Sequence, residues 1–346
     1  MPQHTRRRIA VIGGGANDEH AVSLASAAGV TRAVRALRHT AVPLTIGEDG
    51  TWRDEQDAAL PAHRAVELLT GCDAAFPVLH GARGEDGSIA GLLELCGVPF
   101  AGSPVRAGAL GMDKHATKLL AASLGIATAS ARLIGSGSGS GPDVVTDGLT
   151  PPFVVKPASG GSSNGVFVVA DHDGVGDAVD RARAFGDPVL IEEYVTGREI
   201  DVAVFRDRRG GLRVGATLEI SVAPGDVFGA TEKYDGSARF TVPAPIGAAD
   251  EAAVRSAATR LYDALGCAGV ARFDFFLTAE GPMLNEVNTT PGMTELSQVP
   301  LMYAATGLDY AGLIAELLDA AQPPAQDEEQ ETARRSAAPS ESGPAA

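Results

Sequence analysis

Residues 272–293 read RFDFFLTAEGPMLNEVNTTPGM, and the reading of this stretch decides the fold. Two β-rich runs, 269–278 and 283–290, flank Ala-Glu-Gly-Pro, where glycine and proline mark a chain reversal. A β-hairpin is therefore predicted. Alternate residues of a strand face the same side. Arg272 and Asp274 share one face, and Phe273, Phe275 and Leu277 share the other. On the second strand Glu286 and Asn288 share a face, while Val287 points away. Pairing the strands gathers Asp274, Glu286 and Asn288 beside Arg272. Two carboxylates and an amide oxygen suit a hard divalent cation such as Mg2+, with phosphate supplying further oxygens. The exposed polar face of an ordinary antiparallel hairpin carries the same alternation. The rest of the chain has to choose between the two.

The chain has 346 residues, enough for two or three domains. Its 45% hydrophobic content is ordinary for a soluble protein. Lys plus Arg number 28 and Asp plus Glu 44, a formal net charge of −16. Such a balance disfavours nucleic acid and anionic membrane surfaces as partners. Any phosphate site must be a local pocket with a few cations. The three cysteines, Cys72, Cys96 and Cys267, are far apart and odd in number, which fits a reducing, cytoplasmic compartment. The apolar run 9–12 is too short for a signal-peptide core, and no run approaches a membrane span.

Taken in order, 9–12 predicts a buried strand ending in Gly13-Gly14-Gly15. A helix capped by Asp18 is expected next, with Val22, Ala25, Val30, Val34 and Leu37 toward a core. Strand, glycine turn and helix open a doubly wound α/β domain. The glycines do not continue as G-x-G-x-x-G, so a dinucleotide site is disfavoured. A strand at 73–79 runs into His80-Gly81-Ala82-Arg83-Gly84-Glu85-Asp86-Gly87, a loop suited to binding at a sheet's carboxyl edge. A helix at 89–96 and a closing strand at 98–102 follow. Asp113 caps a helix over 114–123, and Lys114 in its first turn opposes the helix dipole. Residues 131–150, rich in Gly and Ser, read as a connection of little chemical content.

Runs 153–158 and 165–170 predict a second hairpin around Ser159-Gly160-Gly161-Ser162-Ser163-Asn164. Backbone N–H groups and hydroxyls at such a tip can wrap phosphate oxygens, with Lys156 as a point charge. Strands at 189–195 and 199–205 and a meander at 212–220 precede the irregular stretch 221–235, which carries Lys233 and Tyr234. Helices are predicted from Asp250 to Gly266 and over 309–321. Residues 322–346, rich in Pro, Glu, Ser and Ala, read as a disordered tail.

Several of these motifs resemble one family, in its order. They are Glu19-His20-Ala21-Val22-Ser23, His80-Gly81 with Gly84-Glu85-Asp86-Gly87, Met112-Asp113-Lys114, and Val155-Lys156-Pro157 with Gly161-Ser162-Ser163. Ile191-Glu192-Glu193, Glu232-Lys233-Tyr234, Arg272-Phe273-Asp274 and residues 285–294, NEVNTTPGMT, continue the series. The chain is similar to the D-alanine–D-alanine ligases of the ATP-grasp superfamily over about residues 9–320. Motifs in series are far more specific than any one alone.

The resemblance implies an N-terminal α/β domain over 1–102, a small ATP-grasp subdomain over 103–190 and a larger one over 191–321. It implies ATP between the last two, with two Mg2+ (or Mn2+) on Asp274, Glu286 and Asn288, and it leaves a monovalent cation open. Lys114, Lys156, Ser163 and Lys233 would contact phosphates, Glu192, Glu193 and Val195 the adenine, and Glu199 the ribose. Glu19 would hold the first D-alanine ammonium, linked through Ser162 and Tyr234. His80 would take the first carboxylate and Ser297 the second. Arg272 and the Gly292 N–H would steady the oxyanion. The implied enzyme is a cytoplasmic homodimer serving peptidoglycan precursor synthesis, with small-molecule substrates.

Four departures from the family pattern stand out. Gly13-Gly14-Gly15-Ala16-Asn17 replaces the usual glycine pair followed soon by serine before Glu19. Ala21 replaces a usual acid, Asn164 stands at a usually aliphatic lid position, and Val227-Phe228-Gly229 replaces a Tyr-Asp pair. Two rivals stand beside the leading reading: a related ligase with D-lactate, D-serine or another amine as acceptor, and a non-catalytic nucleotide module. The second predicts loss of some of Lys156, Arg272, Asp274, Glu286 and Asn288, and all five are present.

Overall fold

The structure is a computed structural model, and it describes residues 6–135, 146–221 and 239–321. The expected tail at 322–346 and the expected roles of Lys233 and Tyr234 lie outside the described residues. No helix among the described residues is long and apolar enough to cross a membrane.

The first sheet is built on β1 (Arg8–Gly14), parallel to β2 (Thr40–Ile46) and β5 (Ala74–Pro77). Short β3 (Trp52–Arg53) and β4 (Ala59–Leu60) extend one edge, giving the order β4-β3-β2-β1-β5. Alternate residues of β1 feed opposite cores, Ile9 and Val11 on one side and Ala10 and Ile12 on the other. Helix α1 (His20–Ala36) covers the first side, and α2 (Ala62–Thr70) and α3 (Ser88–Leu95) cover the second. The glycines after β1 serve this packing. A Cβ on Gly13 would meet that of Ala27 at 2.5 Å, and Gly14 has φ of +89°.

Three expectations are corrected here. Asp18 does not cap α1; Glu19 stands at the cap position and makes no side-chain cap bond. Ala25 is exposed, and α1 instead turns Ser23, Ser26, Val30 and Val34 inward. The hydroxyls are satisfied: Ser23 Oγ donates to Val78 O (2.6 Å) and accepts from Gly14 N–H (2.9 Å). Residues 98–102 form only a single bridge, Ala75 to Phe100, rather than a strand.

The second sheet has the order β7-β10-β8-β9, from Ala131–Ile134, Val189–Glu193, Phe153–Pro157 and Phe167–Val169. All its pairings are antiparallel. Strand β7 lies inside 131–150, so that stretch is more than a connection. Helix α6 (Val175–Arg183) closes one face over Phe153, Val155 and Ile191.

Among the described residues the third sheet has seven strands. Its centre is β11 (Arg198–Arg206), β15 (Val270–Thr278) and β16 (Gly281–Asn288). Strands β13 (Leu218–Ser221), β14 (Arg239–Thr241), β12 (Leu212–Val214) and β6 (Ala127–Thr128) complete it. The expected meander at 212–220 is two short strands. The register places Arg272 opposite Asn288, and Asp274 opposite both Glu286 and Asp201. One face of this trio is apolar. Ile200, Val202, Phe273, Phe275 and Val287 pack under α4 (Val105–Met112), α5 (Lys114–Ser123) and α7 (Ala248–Leu265). The segment from α4 to β6, expected with the small subdomain, thus packs on the third sheet. A bulge between Asp274 and Phe275, which leaves Asn285 without an opposite partner, shifts the β16 register.

The chain end returns to its beginning. Helix α8 (Gln298–Ala304) and α9 (Tyr310–Asp319) share a core with α1, β1 and Phe205. Arg7 donates to Leu318 O at 3.1 Å and pairs with Asp319 at 2.8 Å.

Candidate active site

The polar face of β11, β15 and β16 opens into a cleft of about 670 Å³ against the second sheet. Lys114, Lys156, Ser163, Glu192, Glu193, Val195 and Glu199 line it, and Glu286 stands at its border with the hairpin. Apolar side chains form the slot between the sheets, Val154, Val166 and Val168 from one and Phe276 and Leu284 from the other. A pocket of this size, with an apolar slot and a charged rim, suits a small polar molecule with an apolar part.

Each charged group has a defined origin. Asp113 caps α5, accepting from His115 and Ala116 N–H at 2.9 and 3.0 Å. That cap fixes Lys114, whose Nζ donates to Gly160 O (2.7 Å) and lies 3.5 Å from Glu286. These partners explain a lysine in a first turn. Strands β8 and β10 pair Lys156 with Leu190, and the Lys156 ammonium reaches Glu192 at 2.8 Å. Lys118, which the sequence reading passed over, holds the other Glu192 oxygen at 2.9 Å. Burial works to raise the Glu192 pKa, but the ammoniums of Lys156 and Lys118 hold it below the usual carboxylate range.

On the hairpin face, Arg272 grips Asp274 through both carboxylate oxygens, at 2.7 and 2.8 Å. Asn288 Nδ2 donates to Asp274 at 2.9 Å, so the amide oxygen stays outside that contact. Burial opposes the charge on Arg272, but Asp274 and then Asp201 hold its pKa well above the usual value. The donor set of Asp274, Glu286 and Asn288 is all oxygen, with neither sulfur nor imidazole. That chemistry fits Mg2+ or Mn2+.

The lid between β8 and β9 reaches the first sheet's helix. Ser162 Oγ donates to Glu19 at 2.7 Å, and Asn164 donates to Asp18 at 3.0 Å. Ser162 and Ser163 hold left-handed φ of +51° and +57°. Non-glycine residues there mark a strained backbone that the surroundings enforce. Asp18, expected as a helix cap, is instead a lid contact.

His80 is committed to the protein. Its Nδ1 meets Thr290 O at 2.7 Å and its Nε2 meets Ser26 Oγ at 3.3 Å. Burial pulls its pKa down, so the ring is neutral at pH 7. A carboxylate could take a ring nitrogen only by displacing one of these groups. Gly292 and Ser297 are neighbours; a Cβ on Gly292 would meet Ser297 Oγ at 3.2 Å. That hydroxyl accepts from Thr294 N–H at 3.0 Å.

Glu85 is a second residue to which no local sequence signal gives a role. Its carboxylate accepts from Gly81 N–H (2.9 Å) and Thr290 N–H (3.0 Å), tying the 80–87 loop to the end of the hairpin. Burial and the charge of Glu19 push its pKa up to about 7. Folding therefore takes up a proton at Glu85 between its ordinary 4.5 and about 7. Its stabilising contribution is complete below that window and is lost as pH rises through about 7. Thermal unfolding of Glu85→Gln should accordingly lose part of the pH slope of the wild type, worth at most about 3 kcal/mol. Parallel melting curves for the two proteins across the window would contradict this.

Two sheets closing on a cleft, with a glycine- and serine-rich lid and a carboxylate-bearing hairpin, define the ATP-grasp class, and solved structures agree. The chain superposes on the VanG D-Ala:D-Ser ligase of Enterococcus faecalis with TM-score 0.79 and 30% identity, covering 91% of this chain and 99% of that one. For the D-alanine–D-alanine ligase of Coxiella burnetii the TM-score is 0.75 at 26% identity, with 95% and 98% covered. The family model for the D-ala D-ala ligase C-terminus matches residues 123–319, and that for the N-terminus matches 8–66 and 53–103. Proteins named D-alanine–D-alanine ligase from Mycolicibacterium smegmatis and Rhodococcus jostii are 38% and 36% identical, over 92% and 91% of this chain and 97% of each relative. The chain belongs to the D-alanine–D-alanine ligase family.

Proposed function

We propose that the protein joins two D-alanines into D-alanyl-D-alanine at the expense of ATP, in the cytoplasm and as a homodimer. The observation that carries this is the convergence in one cleft of the seven described residues expected to meet the nucleotide, with Glu286 beside them. The carboxylate of the first D-alanine attacks the γ-phosphorus, the bond to the bridging oxygen breaks, and ADP leaves. The amine of the second D-alanine then attacks the acyl carbon, loses its proton, and phosphate departs.

Lys114 and Lys156 supply positive charge to the phosphates, Ser163 offers lid donors, and Glu199 takes the ribose. Glu193 and Val195 border the base. Asp274, Glu286 and Asn288 would hold Mg2+, which neutralises phosphate charge when bound. Glu19, fixed by Ser162, receives the first ammonium. Arg272 and the Gly292 N–H face the oxyanion, and Ser297 receives the second carboxylate. His80, paired at both nitrogens, holds the Thr290 turn and Ser26 in place.

A second reading, D-serine as acceptor, is favoured by the likeness to a D-Ala:D-Ser ligase. ADP release and product analysis with D-alanine alone, then with equal D-alanine and D-serine, decides between them. D-Alanyl-D-alanine should dominate; a mixed product in excess supports the second reading. No ADP release with either acceptor would sink both.

A further inference from the structure

Helix α5 delivers two lysines to the cleft one turn apart. Lys114 and Lys118 are four residues apart, so they share a helix face. Lys114 goes to the lid and to Glu286. Lys118 goes to Glu192 Oε1, and it also donates to Ala129 O at 3.3 Å. Lys156 takes Glu192 Oε2 from the other side. The lysine side chains are each 8% exposed and that of Glu192 7%. Two ammoniums around one carboxylate leave one net positive charge on this buried trio. A buried charge without its counterpart is costly, and an anion entering the cleft supplies that counterpart.

We propose that Lys118 is a positioning residue for the nucleotide phosphates, acting through Glu192 on Lys156. An ammonium has three donors. Lys118 donates one to Ala129 O and holds its charge 2.9 Å from Glu192 Oε1, so it is fixed to the protein rather than presented to a ligand. Its charge takes up half of the Glu192 carboxylate. Lys156 then keeps one donor on the remaining oxygen and turns the others toward phosphate. Without Lys118, Lys156 and Glu192 become a closed neutral pair, and the ammonium is drawn onto the carboxylate.

The proposal rests on the cleft being the ATP site, and the test separates the two. Calorimetric titration with adenylyl imidodiphosphate and Mg2+ reads binding without turnover. Lys118→Met should weaken that binding about tenfold or more, the scale of one displaced charge-assisted contact. The KM for D-alanine should stay near wild type, and the unfolding temperature without ligand should not fall, because the remaining pair is neutral. Lys118→Arg keeps the charge and should restore most of the affinity.

Glu192→Gln releases Lys156, so the double variant with Lys118→Met should bind the analogue no worse than Glu192→Gln alone. Lys118→Met binding at wild-type strength would overturn the proposal. So would losses that simply multiply in the double variant, or a collapse in melting temperature that Lys118→Arg does not rescue. A wild type that binds no nucleotide would overturn the ligase reading and this proposal with it. Wild-type binding together with an unaffected Lys118→Met would overturn this proposal alone.

Discussion

Glu286→Gln is expected to lower D-alanine-dependent ADP release by about two to three orders of magnitude, while the ligand-free protein melts close to wild type. The Glu286 side chain is 21% exposed, and its ion pair with Lys114 spans 3.5 Å. At that length the pair is longer than a charge-assisted hydrogen bond, so its loss costs the fold less than breaking a direct one would. The amide is isosteric, so packing is kept. In the proposed metal role, what is lost is a charged oxygen for a hard cation beside the phosphates. Asp274→Asn would not separate the two effects so well. Its carboxylate holds Arg272 through two bonds in a nearly closed site, where the side chains are 12% and 3% exposed. Neutralising it takes from a buried guanidinium the nearer of its two carboxylates, Asp201 at 3.6 Å being the other, and so lowers stability as well as metal binding. Turnover of Glu286→Gln within a factor of ten of wild type, at saturating Mg2+, would remove Glu286 from the metal role.

The hairpin was readable because its signal is local. Alternation in two adjacent strands placed Arg272, Asp274, Glu286 and Asn288 on one face, and the register agrees. The bulge at Asn285 was not readable, since no single strand carries a sign of its partner's length. Helix α1 was placed correctly but turned wrongly. Counting apolar residues favoured Ala25, whereas the buried stripe holds Ser23 and Ser26. Those serines are buried because distant groups satisfy them: Val78 O, Gly14 N–H and Met293 N–H. Periodicity cannot show partners that far off in sequence. Lys118 was missed for the same reason. Its spacing from Lys114 was visible, but Glu192 lies on another sheet's strand. Strand β7 was hidden by the composition around it, and it is held by pairing with β10 rather than by its own propensity. The convergence of Glu19 with Ser162, by contrast, was reached through family resemblance alone, and the two side chains meet at 2.7 Å.

Arg272→Lys should lower kcat by about 100-fold or more with the KM for ATP little changed, because it keeps the charge and loses the fork. In the wild type Nε and Nη2 engage the two Asp274 oxygens, and Nε also lies 3.6 Å from Asp201. Asp201 is itself oriented by Gln298 Nε2 at 2.9 Å, from the helix that begins just after Ser297. The guanidinium is thus held along one edge by Nε and Nη2, and on the proposed mechanism Nη1 is the group that would meet the oxyanion at the acyl carbon. A lysine ammonium can satisfy Asp274 or the oxyanion from one point, not both from a rigid plane. Asp274 keeps Arg272 charged at every working pH despite burial, so its loss is a loss of geometry. The deficit of the lysine variant should therefore persist from neutral to alkaline pH instead of growing only where a buried lysine deprotonates. The measurement is kcat and both KM values for the two proteins over that range. A kcat within fivefold of wild type would take Arg272 out of the reacting centre. A deficit confined to alkaline pH would show that its charge alone is needed there, and that the fork to Asp274 serves only to hold the hairpin.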